Sequence, residues 1–322
     1  MNKPTRLLVV MDPIDQIKYE KDTTLALLLA AQTRGYRLEY AELADLWLRD
    51  GVAEARSRRL DVRADPNDWF SLGPPVPGPL GGFDVVLMRK DPPFDTEYIY
   101  ATYILERAEL AGALVVNRPG ALRDMNEKVY TAWFPQCCAP TLVTRDMGEM
   151  VAFAVTHGTV VCKPLDGMGG RSVFVLPPGD KNQRVVFETL TDYGRRFAIT
   201  QKYLPAITVS GDARVLLIDG EALPYALARI PAAGDNRGNL AAGAKGVARP
   251  LQERDRWLAA QIGPAMRAAG MLLVGLDVIG GFVTEINVTS PTGARELQQQ
   301  SGVDAAELLM QAIARRLAIR GG

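Results

Sequence analysis

Val160-Val161-Cys162-Lys163-Pro164-Leu165-Asp166-Gly167-Met168-Gly169-Gly170-Arg171-Ser172-Val173 is the stretch on which the reading of the fold turns. It runs as a short apolar strand, a glycine-rich turn and a second strand from Val173. Backbone N–H groups in such a turn hold phosphate well, and only glycine brings the backbone that close with φ > 0. It is neither of the two common phosphate loops. No G-x-x-x-x-G-K-[ST] occurs in the chain, and G-x-G-x-x-G with a following helix is absent. A plain β-hairpin turn would carry the same glycines. Lys163 weighs against that, because a lysine in an apolar strand needs an anion or a carboxylate to compensate its burial.

Upstream, short apolar runs alternate with amphipathic stretches. Leu7–Met11 reads as a buried strand, Thr23–Thr33 as a helix capped by Asp22, and Leu38–Leu43 as a second strand. The strand Phe83–Met88, the helix Thr96–Ala111 and the strand Leu114–Asn117 follow. This order implies a mostly parallel sheet covered on both faces, with ligands at the carboxyl ends of its strands. Arg89–Asp95, a charged cluster with Pro92-Pro93, sits at such an end. It reads either as a solvated loop or as part of a ligand site.

After Pro119 the texture changes. A helix from about Leu122 to Trp133 leads to the strands Thr141–Thr144 and Val160–Leu165, with a helix between them. Phe197–Leu204, Ala213–Asp219 and Leu223–Ile230 continue as strands. Pro231–Gly246 is rich in Gly, Ala and Asn and lacks periodicity, so it reads as a lid or a disordered loop. A helix from about Gln252 to Ala269 precedes the strands Leu272–Ile279 and Phe282–Val288, and two helices close the chain.

Alternation places Glu285 and Asn287 on one strand face, and two such oxygen donors suit a hard cation that also binds phosphate. Asp277 joins them only if the hairpin parity allows. With Gly280-Gly281 as a two-residue turn it faces away from Glu285; with a three-residue loop it faces the same way. Arg214 and Arg229 lie on strands, where cations near a phosphate loop would stabilise charge developing in phosphoryl transfer.

The composition removes other chemistries. With 37 basic and 37 acidic residues the net charge is zero, which argues against general nucleic-acid binding. A single His excludes His-rich metal sites and most His-based acid–base mechanisms. Three Cys without a C-x-x-C pair fit neither a disulfide framework nor a zinc site. No apolar run approaches a signal-peptide core or a membrane span, so a soluble, cytoplasmic protein is expected.

Several stretches together resemble one family. They are Met88–Asp95 (Met-Arg-Lys-Asp-Pro-Pro-Phe-Asp), Tyr100–Arg107, Asn126-Glu127-Lys128, Lys163–Gly170, Tyr203-Leu204-Pro205-Ala206, Arg237–Gly243 and Thr284–Thr292. The chain is similar over nearly its whole length to bacterial glutathione synthetases of the ATP-grasp superfamily. The resemblance implies an α/β fold: a Rossmann-like N-terminal domain (1–122), then a two-lobed ATP-grasp domain (lid subdomain 123–204, catalytic subdomain 205–322). It implies ligation of glycine to γ-glutamylcysteine at the expense of ATP, by way of an acyl phosphate. On the same basis Lys128 and Lys163 contact ATP phosphates, which Gly167, Met168, Gly169 and Gly170 cover. Gln201, Lys202, Tyr203 and Leu204 form the strand edge that holds adenine.

The resemblance further makes Asp277, Glu285 and Asn287 the Mg²⁺ ligands, with Mn²⁺ as an alternative. Arg214 and Arg229 become the cations nearest the transferring phosphoryl group, and Arg89, Ser290, Pro291 and Thr292 the substrate contacts. Pro231–Gly246, with Arg237, Gly238 and Asn239, resembles a loop that closes over the site. Its end, Gly243-Ala244-Lys245, departs from the Gly-Gly-Arg usual in the family, which implies slower or less complete closure. A homo-oligomer, a tetramer by resemblance, is the remaining expectation.

Overall fold

Leu7, Leu8, Val9 and Val10 are fully buried, so the strand Arg6–Val10 has core on both faces, as the continuous apolar run required. It pairs in parallel with Arg37–Ala41 and with Val85–Met88, and Val85–Met88 pairs in parallel with Leu114–Val116. Asp22 caps the helix Thr23–Thr33 by accepting from Leu25 N at 2.6 Å. Asp95 caps Thr96–Leu110 in the same way, accepting from Tyr98 N at 2.9 Å. These relations come from a computed structural model, which describes residues 3–167, 170–230 and 245–320.

Beyond Arg37–Ala41 this sheet continues antiparallel through Val52–Val62, which also pairs with Leu46–Arg49 and Phe70–Pro79. The sequence pattern leaves this extension out for two reasons. Three of its buried positions, Ala53, Ala55 and Ser57, are small, and only Leu60 and Val62 add bulk. The strand Phe70–Pro79 carries four prolines, which only an edge tolerates.

Two antiparallel sheets follow. The smaller is ordered Phe174–Leu176, Val160–Pro164, Ala198–Lys202, Thr141–Thr144, and packs its own core of Met150, Cys162, Phe187 and Leu190. The larger runs Lys245–Pro250, Tyr225–Ile230, Asp212–Ile218, Leu273–Ile279, Phe282–Asn287, with Glu221–Ala222 paired to Asp212–Ile218. Its core merges with that of the N-terminal sheet: Val215, Leu217 and Val274 cluster with Leu8, Val10 and Val86. Asn117 joins the two. Its amide donates to the Leu273 and Val288 carbonyls at 2.7 Å each and accepts from Leu272 N and Leu273 N at 2.8 and 3.1 Å.

Two expectations need correction. The helix expected over Leu122–Trp133 is broken: Pro119–Asp124 is helical, and a 3₁₀ turn covers Val129–Trp133. Between them the Asn126 side chain accepts from Lys128 N and Val129 N, both at 3.0 Å. That local turn competes with the helix and turns Lys128 inward. The expected loop 231–246 also ends early, because Lys245 and Gly246 begin a strand whose register pairs Ile230 with Lys245.

Candidate active site

Register decides how the hairpin Leu273–Ile279/Phe282–Asn287 presents its polar residues. Ile279 pairs with Phe282 and Val278 with Val283, which makes Gly280-Gly281 a two-residue turn. Taken alone, that would aim Asp277 away from Glu285. A bulge next to Asp277 restores the parity, pairing Asp277 with Glu285 and Gly275 with Asn287. Asp277, Glu285 and Asn287 therefore border one cavity. Turn length could not reveal this alignment, because it depends on the bulge.

Two lysines converge on Glu285. Lys163 Nζ lies 3.3 Å and Lys128 Nζ 3.9 Å from its Oε1. Lys128 is buried, with its ammonium bonded to the neighbouring Glu127 carboxylate and to the Gly167 carbonyl, the latter at 2.7 Å. Burial opposes its charge, but Glu285 and Glu127 outweigh burial and hold its pKa above the usual lysine value. Burial, reinforced by Glu285, raises the Glu127 carboxyl despite Lys128. Glu127 escapes a reading by spacing because it looks like one more helix-surface acid. Its carbonyl accepts from Ile286 N at 2.8 Å, which ties the segment to the edge of the large sheet.

Deeper in the large sheet lies a quartet of two arginines and two aspartates. Arg214 grips Asp277 through Nε to Oδ1 at 2.5 Å and Nη2 to Oδ2 at 3.1 Å. Arg229 grips Asp212 through Nε to Oδ1 at 2.8 Å and Nη2 to Oδ2 at 2.5 Å, and also reaches Asp277 Oδ2 at 2.9 Å. Burial disfavours the Asp277 carboxylate, yet Arg214 and Arg229 together hold it well below the usual range. For Asp212 burial wins over Arg229, its nearest cation, and its pKa rises. Two glycines make room. A Cβ at Gly211 would lie 2.3 Å from the Arg229 carbonyl, and one at Gly275 would lie 2.8 Å from Arg214 Cδ. Asp212 was missed by sequence reasoning; the Gly-Asp pair opening a buried strand is the signal that would have found it.

Arg89 is 5% exposed and is pinned by neutral acceptors only. Its Nε donates to Thr24 Oγ1 and its Nη2 to the Pro291 carbonyl, both at 3.1 Å. No carboxylate stands within ion-pair distance of it among the described residues. Burial lowers its pKa, against the raising fields of Asp91 and Asp22. Ser290 Oγ donates to the Arg89 carbonyl at 3.4 Å, and the Thr292 carbonyl accepts from Arg214 Nη1 at 3.4 Å. The 290–292 turn thus spans both arginine sites.

The cavity between the two antiparallel sheets measures about 360 Å³, within the usual range for a small-molecule site. The small sheet contributes Val161, Lys163 and Val175, together with Gln201, Lys202, Tyr203 and Leu204. The large sheet contributes the quartet, Glu285 and Asn287. Ser290, Pro291, Thr292, Gly167 and Gly170 also line it, as do Lys128 and Asp91. Arg89 does not line it but backs the turn at Pro291. Met168, Gly169, Arg237, Gly238, Asn239 and Ala244 lie outside the described residues. No described helix is long and apolar enough to cross a membrane.

Solved structures place this architecture. D-cycloserine synthetase DcsG superposes with a TM-score of 0.67 at 17% identity, covering 97% of this chain and 99% of that one. The ATP-grasp ligase PsnB gives 0.63 at 17% identity, covering 98% and 100%. The fold, with a cation-lined cleft between two antiparallel sheets, is that of the ATP-grasp class. The sequence narrows the class. A model of the prokaryotic glutathione synthetase N-terminal domain matches residues 5–123, and that of the ATP-grasp domain of prokaryotic glutathione synthetase matches 127–302. A glutathione synthetase of Pseudomonas putida is 56% identical over 315 residues, covering 98% of this chain and 99% of the relative. The chain belongs to the prokaryotic glutathione synthetase family.

Proposed function

We infer that this chain joins glycine to γ-L-glutamyl-L-cysteine, giving glutathione, ADP and phosphate. The cysteinyl carboxylate attacks the γ-phosphorus of ATP and ADP leaves; the glycine nitrogen then attacks the acyl phosphate carbon, expelling phosphate and losing a proton. The observation that carries this reading is the convergence in one cavity of Lys128, Lys163, Glu285 and Asn287 with Arg214 and Arg229. Lys128 and Lys163 would hold ATP phosphates beside Gly167 and Gly170, with adenine against Gln201, Lys202, Tyr203, Leu204 and the apolar wall. Arg214 and Arg229 stabilise charge on the transferring phosphoryl group. Arg89, with Ser290, Pro291 and Thr292, would fix the peptide substrate. Arg237, Gly238 and Asn239 belong to a segment that we take to close over the acyl phosphate and exclude water.

Glu285, Asn287 and Asp277 would hold Mg²⁺, or Mn²⁺ in its place, as oxygen ligands suited to a hard cation. The fit rests on Asn287, whose Nδ2 donates to the Gly275 carbonyl at 3.3 Å and leaves its oxygen for a cation. Such a metal neutralises phosphate charge when bound. We also take the enzyme to be a cytoplasmic homo-oligomer, a tetramer on family grounds.

An ADP-release assay with ATP, Mg²⁺, γ-glutamylcysteine and glycine, omitting one at a time, tests the reaction. Release that ignores γ-glutamylcysteine, or that responds better to another carboxylate, overturns it in favour of a different ATP-grasp ligase. Glu285→Gln should lower turnover by about a thousandfold with the fold retained; near-normal turnover would remove Glu285 from the site.

A further inference from the structure

The two arginines of the quartet are not held alike. Arg229 gives its fork to Asp212 and touches Asp277 with Nη2. Arg214 gives its fork to Asp277 and, among the described residues, otherwise bonds the Thr292 carbonyl, at 3.4 Å. Asp277 Oδ2 thus accepts from both arginines and Oδ1 from one, which fills three of the roughly four acceptor positions of a carboxylate. A divalent cation on the remaining position would stand beside a guanidinium group in a buried, weakly screening site. Both cations cannot share Asp277 comfortably.

We propose that Asp277 is an exchangeable carboxylate: when the metal binds, Asp277 turns to it, and Arg214 is released to take an anionic group in the cavity, while Asp212 keeps Arg229 in place. Asp212 is on this account a positioning residue. It makes Arg229 a fixed cation and leaves Arg214 as one that the metal sets free. Arg214 already lines the cavity and runs over Gly275, where a Cβ would lie 2.8 Å from its Cδ, so the glycine leaves its stem the room it occupies. The inference rests on the metal reading above and adds an order of events to it. Arg214 acts on phosphate only after the metal is seated.

The test is a titration of Mn²⁺ into ADP-saturated enzyme, with bound metal followed by electron paramagnetic resonance. Arg214→Lys keeps the charge but loses the two-point fork, so Mn²⁺ should bind roughly three- to tenfold tighter. Arg229→Lys should change affinity less than about twofold, because Arg229 spends its fork on Asp212 and not on Asp277. Asp277→Asn should weaken Mn²⁺ at least about tenfold. Unchanged affinity in Asp277→Asn overturns the ligand assignment and the exchange with it. Weakening in Asp277→Asn with no tightening in Arg214→Lys overturns the exchange alone. Should Arg214→Lys not fold, crystals of the wild-type enzyme with ADP, with and without Mn²⁺, decide the matter. The Arg214 fork should leave Asp277 when Mn²⁺ is present, and a fork intact on a Mn²⁺-ligated Asp277 overturns the proposal.

Discussion

Arg229 and Arg89 are equally buried, at 4% and 5% exposure, yet the chain treats them in opposite ways. Arg229 faces two carboxylates, and its pKa rises because Asp277 and Asp212 outweigh burial. Arg89 faces a hydroxyl and a carbonyl, and burial drives its pKa down. A buried charge requires compensation. At Arg229 the chain supplies it, so the guanidinium is part of the fold as well as of the site. At Arg89 no described carboxylate closes an ion pair, Asp91 and Asp22 act only through their fields, and on the proposed reading an anionic substrate supplies the rest. On the proposed reading, the pairing of Arg229 makes it part of the architecture, and the lack of an ion pair at Arg89 among the described residues leaves it for a ligand.

The largest effects should separate the two. Arg229→Met leaves Asp212 without its cation and Asp277 with one fewer, and should cost about 3–5 kcal/mol of unfolding free energy. Arg89→Met removes an uncompensated charge, so stability should stay within about 1 kcal/mol of the parent or rise. Its penalty should appear as a roughly hundredfold higher KM for γ-glutamylcysteine, with the KM for ATP nearly constant. Urea melts and initial rates measure both. If Arg89→Met melts as early as Arg229→Met, the distinction between the two arginines is lost.

Acid sharpens the contrast. The folded pKa of Asp277 lies below its unfolded value near 4. A depressed carboxylate contributes stability that is present above the unfolded pKa and is lost as pH falls through the folded one. The unfolding free energy of the parent should therefore decline below about pH 4, with a contribution from Asp277 approaching 1.4 kcal/mol per pH unit. Asp277→Asn should start lower at pH 7 and lose less between about pH 4 and pH 2. Parallel profiles would mean that Asp277 is not the carboxylate that Arg214 and Arg229 stabilise.

Much of this was legible in the sequence where one physical rule acted alone. Continuous apolar runs gave the parallel strands, and Asp22 gave the start of a helix through its cap. Lys163 in an apolar strand announced an anion, and it lies beside Glu285. Legibility failed where two rules competed. Around Lys128, helical periodicity lost to the Asn126 side chain. At Asp277, turn parity was reversed by a bulge that hairpin spacing cannot reveal. Asp212 was missed because its role depends on a partner 17 residues away across a strand pair, and only the Gly211-Asp212 pair opening a buried strand hinted at it. The four prolines of Phe70–Pro79 hid a strand that tolerates them by lying at an edge.

The smallest expected effect concerns the scaffold around Arg89. Thr24 is buried in the first turn of the helix Thr23–Thr33, and its hydroxyl accepts from Arg89 Nε. Valine has the same branched shape and nearly the same helix preference, so Thr24→Val removes one acceptor and little else. The loss of one such bond should raise the KM for γ-glutamylcysteine about three- to tenfold. Turnover should stay nearly constant, because the Pro291 carbonyl still orients the guanidinium group. In the Arg89→Met background the same substitution should have no further effect on KM, since the donor is gone. A fall in turnover with KM unchanged would place Arg89 in the chemical step instead of in substrate binding. It would then be a catalytic cation, as proposed for Arg214, and its missing partner would need a different explanation from a waiting ligand.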